Sequence, residues 1–275
     1  NPITGNKTLT IIISQSGETA DTLAALKEAK KRGSHTLAIV NVVGSSIANA
    51  ADDVIYTWAG PEIAVATTKG YSTQLSVLYL FAVWAARLLK TADGARLDKL
   101  FDDILMLPEL TERVILAEPQ IKKTAKHCGD PKSLFFIGRN IDYAVSLEAS
   151  LKLKEISYIH SEAYAAGELK HGTISLIEEG RTVIALAAYE ELFDKLLSNI
   201  KEVKARGARV LACATVGHAE IAKEAESVIY IPKIDPLLLA SLEVVPFQLY
   251  AYYVALYNGC DIDKPRNLAK SVTVE

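Results

Sequence analysis

The stretch Leu9–Thr22 reads LTIIISQSGETADT, an apolar run of β-branched residues that gives way to hydroxyl side chains around one glycine. This pattern predicts a buried strand, a tight turn and the start of a helix. Four hydroxyl side chains, those of Ser14, Ser16, Thr19 and Thr22, lie within nine residues. Because a helix start also presents unpaired backbone N–H groups, the turn is suited to bind an anion through neutral donors.

The turn argues against two nucleotide-binding motifs and leaves one simpler alternative open. It contains only Gly17 and no lysine, whereas phosphate loops end in Gly-Lys-Ser/Thr and dinucleotide-binding turns need several glycines. A nucleotide is therefore disfavoured, and we expect a sugar phosphate. The alternative is an ordinary helix cap, for which serine and threonine are favoured. A cap, however, uses one or two hydroxyls rather than four.

The composition is typical of a globular protein with a small-molecule partner. The 275 residues carry a net charge of -3 and a sequence pI near 6.0, with no basic cluster longer than Lys30–Arg32. We do not expect nucleic acid as a partner, because a phosphate backbone binds to a concentrated positive surface. Cys128, Cys213 and Cys260 are far apart and form neither a zinc-binding nor a disulfide pattern. This cysteine usage fits the reducing cytoplasm.

No segment predicts export or insertion into a membrane. The N-terminus NPITGNK lacks the charged and apolar parts of a signal peptide. The most apolar segment, Leu237–Tyr257, contains Glu243, Pro246 and Gln248, so we expect a buried helix rather than a membrane span. Since the chain opens almost directly on a core strand, we also expect it to be a fragment of a longer protein.

The rest of the chain alternates strand and helix patterns, which predicts an α/β fold with parallel sheets between layers of helices. After the first helix, apolar runs follow at His35–Val43 and Asp53–Thr57, and a hydroxyl-rich turn at Gly60–Gln74 precedes a long apolar helix. The domains that we predict are a first domain (1–95), a helical connector (96–131) with helices at 97–105 and 109–116, a second domain (132–260) and a tail (261–275).

An internal repeat indicates that the two domains share one fold. With Gly207 aligned on Gly33, the offset is 207 − 33 = 174 residues, and the strand patterns after the two glycines coincide. The same offset places Ala185–Ala188 on Ile11–Ser14, so the second copy keeps the strand and loses the hydroxyl side chains. We therefore expect only the first domain to hold phosphate.

Two segments of the second domain carry candidate proton-transfer groups. On the predicted helix Val145–His160, Glu148, Lys152 and Glu155 are spaced i, i+4 and i+7 and share one face. Either they form an exposed salt-bridge stripe, or a carboxylate held by a lysine acts as an acid or base that burial tunes. His171, in the following segment of small residues, is either structural or a proton-transfer group.

The C-terminal tail, DIDKPRNLAKSVTVE, carries the remaining candidate, Lys270. Considered alone, Lys270 is a solvent-exposed lysine of a tail. Placed over a sugar-phosphate pocket, its amine can instead form a Schiff base with an open-chain carbonyl.

Three segments together resemble a known family: SQSGETADT (14–22), LKLKEISYIHSEAYAAGELKHG (151–172) and PRNLAKSVTVE (265–275). They are similar to the isomerase region of the glutamine–fructose-6-phosphate aminotransferase (glucosamine-6-phosphate synthase) family, which is built from sugar-isomerase (SIS) domains. The first segment is shared by many SIS proteins, and the combination is specific to this family. The resemblance covers essentially the whole chain. It implies two tandem three-layer αβα subdomains with parallel sheets, the first of them N-terminally truncated.

The resemblance also implies a function and a homodimer. Fructose 6-phosphate, with ammonia from a glutaminase domain absent here, would become glucosamine 6-phosphate in hexosamine biosynthesis, without a metal or organic cofactor. Glu155 would move a proton between C1 and C2 with the assistance of Lys152, His171 of the neighbouring subunit would open the sugar ring, and Lys270 would form the Schiff base. The residues that it implies for substrate binding are Ser14, Gln15, Ser16, Thr19, Val65 and Ala269.

Two departures from the family and two rival functions stay open. Nothing in the chain resembles the glutamine-hydrolysing domain, so we do not expect glutamine hydrolysis. The first βα unit of the first SIS domain, whose Gly-Thr-Ser turn supplies a further serine to the sugar, is missing. The rivals are a non-catalytic SIS module that senses a sugar phosphate and a glutamine-independent SIS isomerase or deaminase. Glu155, His171 and Lys270 together favour an enzyme over the sensor, and the tail favours the aminotransferase family.

Overall fold

A computed structural model describes residues 2–126 and 133–270, and its packing divides the chain into two compact units. The first unit comprises Asn1–Asp93 with Arg266–Glu275, and the second comprises Gly94–Pro265. Every strand pairing within the two units is parallel among the described residues. The α/β class and the parallel sheets that the sequence predicts are thereby confirmed.

The first unit is a three-stranded sheet with helices that follow each strand. Its elements are β1 (Leu9–Ser14), α1 (Ala20–Lys31), β2 (His35–Val40), α2 (Ser46–Ala50), β3 (Asp53–Tyr56) and α3 (Lys69–Leu89). The strand order is β1-β2-β3. Since β2 is the central strand, its sequence HTLAIV is an almost continuous apolar run and is buried from its second residue onward. The first unit therefore forms its core around β2. The turn after β1 lies at the carboxyl edge of its sheet.

The second unit is a five-stranded sheet with the order β5-β4-β6-β7-β8. Its strands are β4 (Ser133–Gly138), β5 (His160–Ala165), β6 (Thr182–Ala187), β7 (Arg209–Thr215) and β8 (Ser227–Ile231). Its α-helices are α4 (Gly94–Ile115), α5 (Glu118–Lys126), α6 (Ile141–Ser157), α7 (Phe193–Lys204) and α8 (Leu239–Tyr257). Short 3-10 helices lie at Ala166–His171, Thr173–Leu176, Glu190–Leu192, Ala219–Lys223 and Pro236–Leu238. α6 and α8 pack against each other.

The region predicted as a connector contains one long helix where the sequence predicts two. α4 continues through Pro108 to Ile115, although a proline inside a helix costs roughly 3 kcal/mol. Its buried stripe runs along the whole helix and comprises Leu97, Leu100, Ile104, Leu107 and Val114. Burial of each side chain of this size stabilises the fold by about 1.5–3 kcal/mol. The packing of the stripe therefore exceeds the cost of the proline. Both α4 and α5 contact α8 within the second unit; the role of 96–131 as a connector stays a prediction.

Two described helices, α3 and the segment Pro236–Tyr257, are long and apolar enough to cross a membrane by length and composition alone. Of the apolar window in the second segment, 78% is buried inside the protein, which confirms the expectation of a buried core helix. Only 6% of the window in α3 is buried. One face of α3, with Leu80, Phe81 and Trp84, lines an apolar cavity of about 580 Å³ beside β1 and β3.

The internal repeat is visible in the structure with one local shift. The strands β2 and β3 correspond to β7 and β8 with offsets of 209 − 35 = 174 and 227 − 53 = 174 residues. For β1 and β6 the offset is 182 − 9 = 173, and for α1 and α7 it is 193 − 20 = 173. The single offset of 174 is therefore one residue too large for the β1–β6 and α1–α7 pairs. The reason is that the connection between α7 and β7 is one residue longer than the connection between α1 and β2. Among the described residues of the first unit, β4, α6 and β5 have no counterpart.

Candidate functional site

The turn after β1 gathers the hydroxyl side chains that the sequence singled out. Ser14 ends β1, and its buried Oγ accepts a hydrogen bond from the Gly17 N–H at 3.0 Å. The hydroxyl oxygens of Ser14 and Thr19 lie 3.5 Å apart. Ser16 Oγ accepts a hydrogen bond from the Glu18 N–H at 3.2 Å. The hydroxyls of Ser14 and Thr19 thus lie together in front of the 12-residue helix α1, where a helix favours an anion. Ser16 lies in the same turn, and Thr22 lies inside α1.

Helix capping does not account for the hydroxyl of Thr19. Thr19 is the N-cap residue of α1, but its side chain forms no capping hydrogen bond. Gly17 has a φ of +69°, and a Cβ there would lie 2.1 Å from Ser45 Oγ, so only glycine allows the turn to lie this close to α2. The Glu18 carboxylate accepts hydrogen bonds from the Ser46 hydroxyl and N–H, which lower its pKa.

Lys270 returns from the tail to the hydroxyl-rich turn between β3 and α3, within the first unit. Its Nζ donates hydrogen bonds to the Ala64 carbonyl oxygen at 2.6 Å and to Thr67 Oγ1 at 3.3 Å. Its side chain is 29% exposed, so it is not the freely exposed lysine of a tail. The two backbone candidates flank these contacts: Val65 follows Ala64 and is half-buried, and Ala269 precedes Lys270 and is exposed.

The charged group on α6 is enclosed rather than exposed. Lys152 Nζ lies 2.6 Å from Glu155 Oε2 and 3.5 Å from Glu148 Oε1. The side chains of Lys152, Glu155 and Glu148 are only 6%, 22% and 16% exposed. Burial raises the pKa of Glu148, and the charge of Lys152 opposes that shift. The structure therefore supports the interpretation of a carboxylate held by a lysine and contradicts the exposed stripe, because α6 packs on α8, β4 and β5.

His171 is exposed on its own chain. It ends the 3-10 helix Ala166–His171, and its side chain is 74% exposed. Its Nε2 lies 3.9 Å from a carboxylate oxygen of Glu168, which is itself 70% exposed. No hydrogen bond or ion pair joins His171 to Glu155 in the described part of the chain. The structure thus places His171 where a molecule outside its own chain can reach it.

Two buried carboxyl groups of the second unit were not identified as a group from the sequence. Asp142 on α6 and Glu243 on α8 are 1% and 0% exposed. The Tyr189 N–H, just after β6, donates to both carboxyl oxygens of Asp142 at 3.1 and 3.2 Å. Burial raises the pKa of Asp142 to about 8. Burial and the nearby Asp142 raise the pKa of Glu243. Glu243 stands out in its apolar segment, but no local signal pairs it with Asp142, which is 101 residues earlier.

Glu62 and Thr67, beside Lys270, were also missed. Both lie in the hydroxyl-rich turn Gly60–Gln74, of which the resemblance implies a role only for Val65. Within 2–126 and 133–270, no group of three or more His, Cys, Asp and Glu side chains could hold a metal ion. Cys213 and Cys260 are free thiols, and Cys128 lies outside the described residues.

The sequence is similar to one family model and to curated aminotransferases. The family model described as "SIS domain" matches residues 2–84 and 129–257. The glutamine–fructose-6-phosphate aminotransferases (isomerizing) of Clostridium tetani and Thermococcus kodakarensis are 58% and 49% identical to the chain over 275 and 270 residues. These matches cover 100% and 98% of the chain but only 45% and 44% of the relatives. The chain thus spans less than half the length of these relatives.

Solved structures show the same fold. The C-terminal domain of glucosamine-fructose-6-phosphate aminotransferase from Francisella tularensis is 34% identical, with a TM-score of 0.92 over 96% of this chain and 75% of that one. A glucosamine-6-phosphate deaminase from Thermotoga maritima is 26% identical, with a TM-score of 0.76 over 99% of this chain and 77% of that one.

Proposed function

The chain belongs to the SIS domain family, and from that membership we propose that it is the isomerase part of a glucosamine-6-phosphate synthase. In this proposal it interconverts the ketose and aldose forms of a hexose 6-phosphate. With ammonia from a glutaminase domain of a longer chain, it forms glucosamine 6-phosphate in the cytoplasm. The names and identities of the curated relatives support the substrate class.

The first unit is proposed to hold the phosphate at the turn after β1. Ser14, Gln15, Ser16 and Thr19 supply this contact, and Val65 and Ala269 contact the sugar. The hydroxyls of Ser14 and Thr19, 3.5 Å apart in front of α1, support the proposal. Hydroxyl and helix N–H donors stabilise a phosphate without a neighbouring cation, because their dipoles converge on one point.

The single observation that carries the enzymatic proposal is the position of Lys270. A sensor of sugar phosphate has no need for an amine, yet Lys270 is held by the Ala64 carbonyl and the Thr67 hydroxyl of the first unit. In the proposed step the neutral amine attacks the ketose carbonyl, the carbonyl oxygen leaves as water, and a Schiff base remains. The positive Schiff base then withdraws electrons from C2 and weakens the C1–H bond.

Proton transfer is assigned to the charged group on α6. Glu155 takes the proton from C1 and returns it at C2, which exchanges the ketose and aldose forms. Lys152, only 6% exposed and 2.6 Å from Glu155, orients that carboxylate and counters its charge. A variant Glu155→Gln should therefore lose isomerase activity and still bind glucosamine 6-phosphate.

A homodimer is proposed, in which His171 opens the sugar ring bound by the neighbouring copy. The 74% exposure of its side chain supports this. Mixing the inactive variants His171→Ala and Glu155→Gln should restore about a quarter of the activity, since half of randomly formed dimers are mixed and each has one intact site. Activity that stays at the level of the separate variants would contradict a shared site.

The main test is conversion of fructose 6-phosphate to glucose 6-phosphate, measured with a coupled dehydrogenase. We expect activity in the parent chain, loss of at least about a hundredfold in Lys270→Ala because the nucleophile is gone, and no change in Lys264→Ala. Lys264 is an exposed lysine of the same tail and serves as the matched control. A chain that binds glucosamine 6-phosphate in calorimetry but never isomerises fructose 6-phosphate would instead be a sensor or an incomplete catalytic domain.

A further inference from the structure

Glu62, in the turn between β3 and α3, is a buried carboxylate that the proposed mechanism has not yet used. Its side chain is 4% exposed. One carboxylate oxygen, Oε1, accepts a hydrogen bond from the Thr68 N–H at 2.7 Å. The other, Oε2, is enclosed and has no hydrogen-bond partner. Because an enclosed carboxylate oxygen without a hydrogen bond is costly, its retention calls for a functional reason.

Lys270 forms an ion pair with that oxygen. Its Nζ lies 3.7 Å from Glu62 Oε2, slightly beyond hydrogen-bond distance. Its two hydrogen bonds are to neutral groups, the Ala64 carbonyl and the Thr67 hydroxyl. An ammonium group has three N–H donors, so one remains for an acceptor such as Glu62. A hydroxyl and a carbonyl do not take up a proton at neutral pH, whereas a carboxylate can.

The space beside Glu62 joins this pair to the phosphate turn. A Cβ at Gly70, in the first turn of α3, would lie 2.7 Å from Glu62 Oε2, 2.9 Å from Thr67 Cγ2 and 3.2 Å from Gln15 Cγ. The glycine thus keeps a narrow space in which Glu62, Thr67 and Gln15 meet. Gln15 directly follows Ser14 of the phosphate turn, so the lysine and its carboxylate adjoin the proposed phosphate site within the first unit.

We propose that Glu62 is the positioning residue of Lys270: its enclosed oxygen holds the ammonium in place and accepts the proton that the nitrogen must lose before it attacks a sugar carbonyl. This inference rests on the proposed function. The amine forms a C–N bond while the C–O bond breaks. The carbonyl oxygen leaves as water. One proton of that water comes from the amine, and the other is the proton that Glu62 held and returned through the lysine nitrogen. The Glu62 carboxylate then faces the positive Schiff base.

Three variants, compared with the parent chain, test the charge of Glu62 separately from its shape. Glu62→Gln keeps the size of the side chain and an acceptor for the Thr68 N–H, but it cannot take a proton. Glu62→Asp keeps the carboxylate and alters the size, and Glu62→Asn has the size of aspartate without the charge. If Glu62 has only a structural role, glutamine is the better replacement; if it acts on Lys270, aspartate is.

The readout is the rate at which borohydride traps fructose 6-phosphate on Lys270, followed as the mass of the modified peptide. We expect Glu62→Gln to lower this rate about tenfold or more, Glu62→Asp to be faster than both neutral variants, and binding of glucosamine 6-phosphate to stay within about twofold. Glu28→Gln, an exposed carboxylate of α1 paired with Arg32, is the control and should trap at the parent rate.

Each outcome decides one claim. A glutamine variant that traps as fast as the parent, or faster than the aspartate variant, overturns the role of Glu62. If Glu62→Gln does not fold, the aspartate and asparagine variants decide, and equal trapping rates in that pair overturn the inference. No trapping by the parent chain would overturn the proposed Schiff base itself, and with it this inference.

Discussion

The turn after β1 and the turn after β6 follow corresponding strands and lead toward corresponding 12-residue helices, yet they hold different groups. In the first, the hydroxyls of Ser14 and Thr19 are close together in front of α1. In the second, the Tyr189 N–H donates to the carboxyl group of Asp142. We propose that the first turn offers its donors to a phosphate, and the second turn is already filled by a side chain of its own unit.

This difference shows how one βα unit serves two purposes. The filling side chains come from α6 and α8, which bring Asp142 and Glu243 to the end of β6. The described residues of the first unit have no counterpart of α6, and the buried carboxyl beside their turn, Glu62, accepts a hydrogen bond from the Thr68 N–H and faces Lys270. In the proposed function the neutral hydroxyls of the first turn accept a dianion, whereas the backbone of the second turn already contacts a buried carboxyl.

The largest effect that we expect concerns Asp142 at the turn after β6, whose buried carboxyl group should make the free energy of unfolding depend on pH. The pKa of Asp142 is raised from 3.8 to about 8, so between these values the folded state keeps a proton that the unfolded state has lost. The free energy of unfolding should then fall with rising pH by about 1.4 kcal/mol per pH unit across this window. Asp142→Asn should make that slope shallower, and the slope that remains is expected from Glu243, whose pKa burial also raises.

Urea denaturation at a series of pH values between 4 and 8 checks this expectation. Asp194→Asn, an exposed carboxyl of α7, is the control and should retain the slope of the parent chain. An unchanged slope in Asp142→Asn would show that the carboxyl in the second turn is not held protonated by burial.

A smaller effect is expected from closing the space in the first turn. Gly17→Ala places a methyl group 2.1 Å from Ser45 Oγ at a φ of +69°, so it should lower the free energy of unfolding by about 2–4 kcal/mol. Gly44→Ala has a similar φ of +74° but nothing within 4 Å of the added carbon, and it should cost about 1 kcal/mol. Thermal denaturation of both variants compares them; equal losses would mean that only the backbone conformation matters.

The smallest effect that we expect is on the dissociation constant for glucosamine 6-phosphate, which should respond to a change in the first turn but not in the second. Ser14→Ala removes one hydroxyl from the turn after β1 and should weaken binding of glucosamine 6-phosphate by about tenfold to a hundredfold. Tyr189→Phe removes a hydroxyl from the turn after β6 and should leave the dissociation constant within about twofold. Isothermal titration calorimetry measures both constants. Similar losses in the two variants would contradict the assignment of phosphate to the first unit alone.

Local sequence patterns are enough to predict strands such as β1 and β2 and the resemblance to a family, but not the single helix α4. The run HTLAIV predicts a buried parallel strand and β2 is buried on both faces, whereas LTIIIS forms the strand β1 with Leu9 and Ile13 exposed. The hydroxyls around Gly17 and the helix spacing of Glu148, Lys152 and Glu155 are also local patterns, and the structure retains both. The three motifs that resemble the family lie in short stretches, so they could be found without any knowledge of packing.

Contacts between residues far apart in the sequence depend on the packing of whole helices and strands, which local patterns do not predict. Lys270 is 206 residues from Ala64, the carbonyl that it contacts, and Asp142 on α6 meets the backbone of Tyr189, 47 residues later. The burial of α4 through Pro108 likewise depends on α8. Local patterns fix periodicity and turns, but contacts of this range depend on how whole helices and strands pack. For that reason Glu62, the partner now assigned to Lys270, carried no recognisable signal in the sequence.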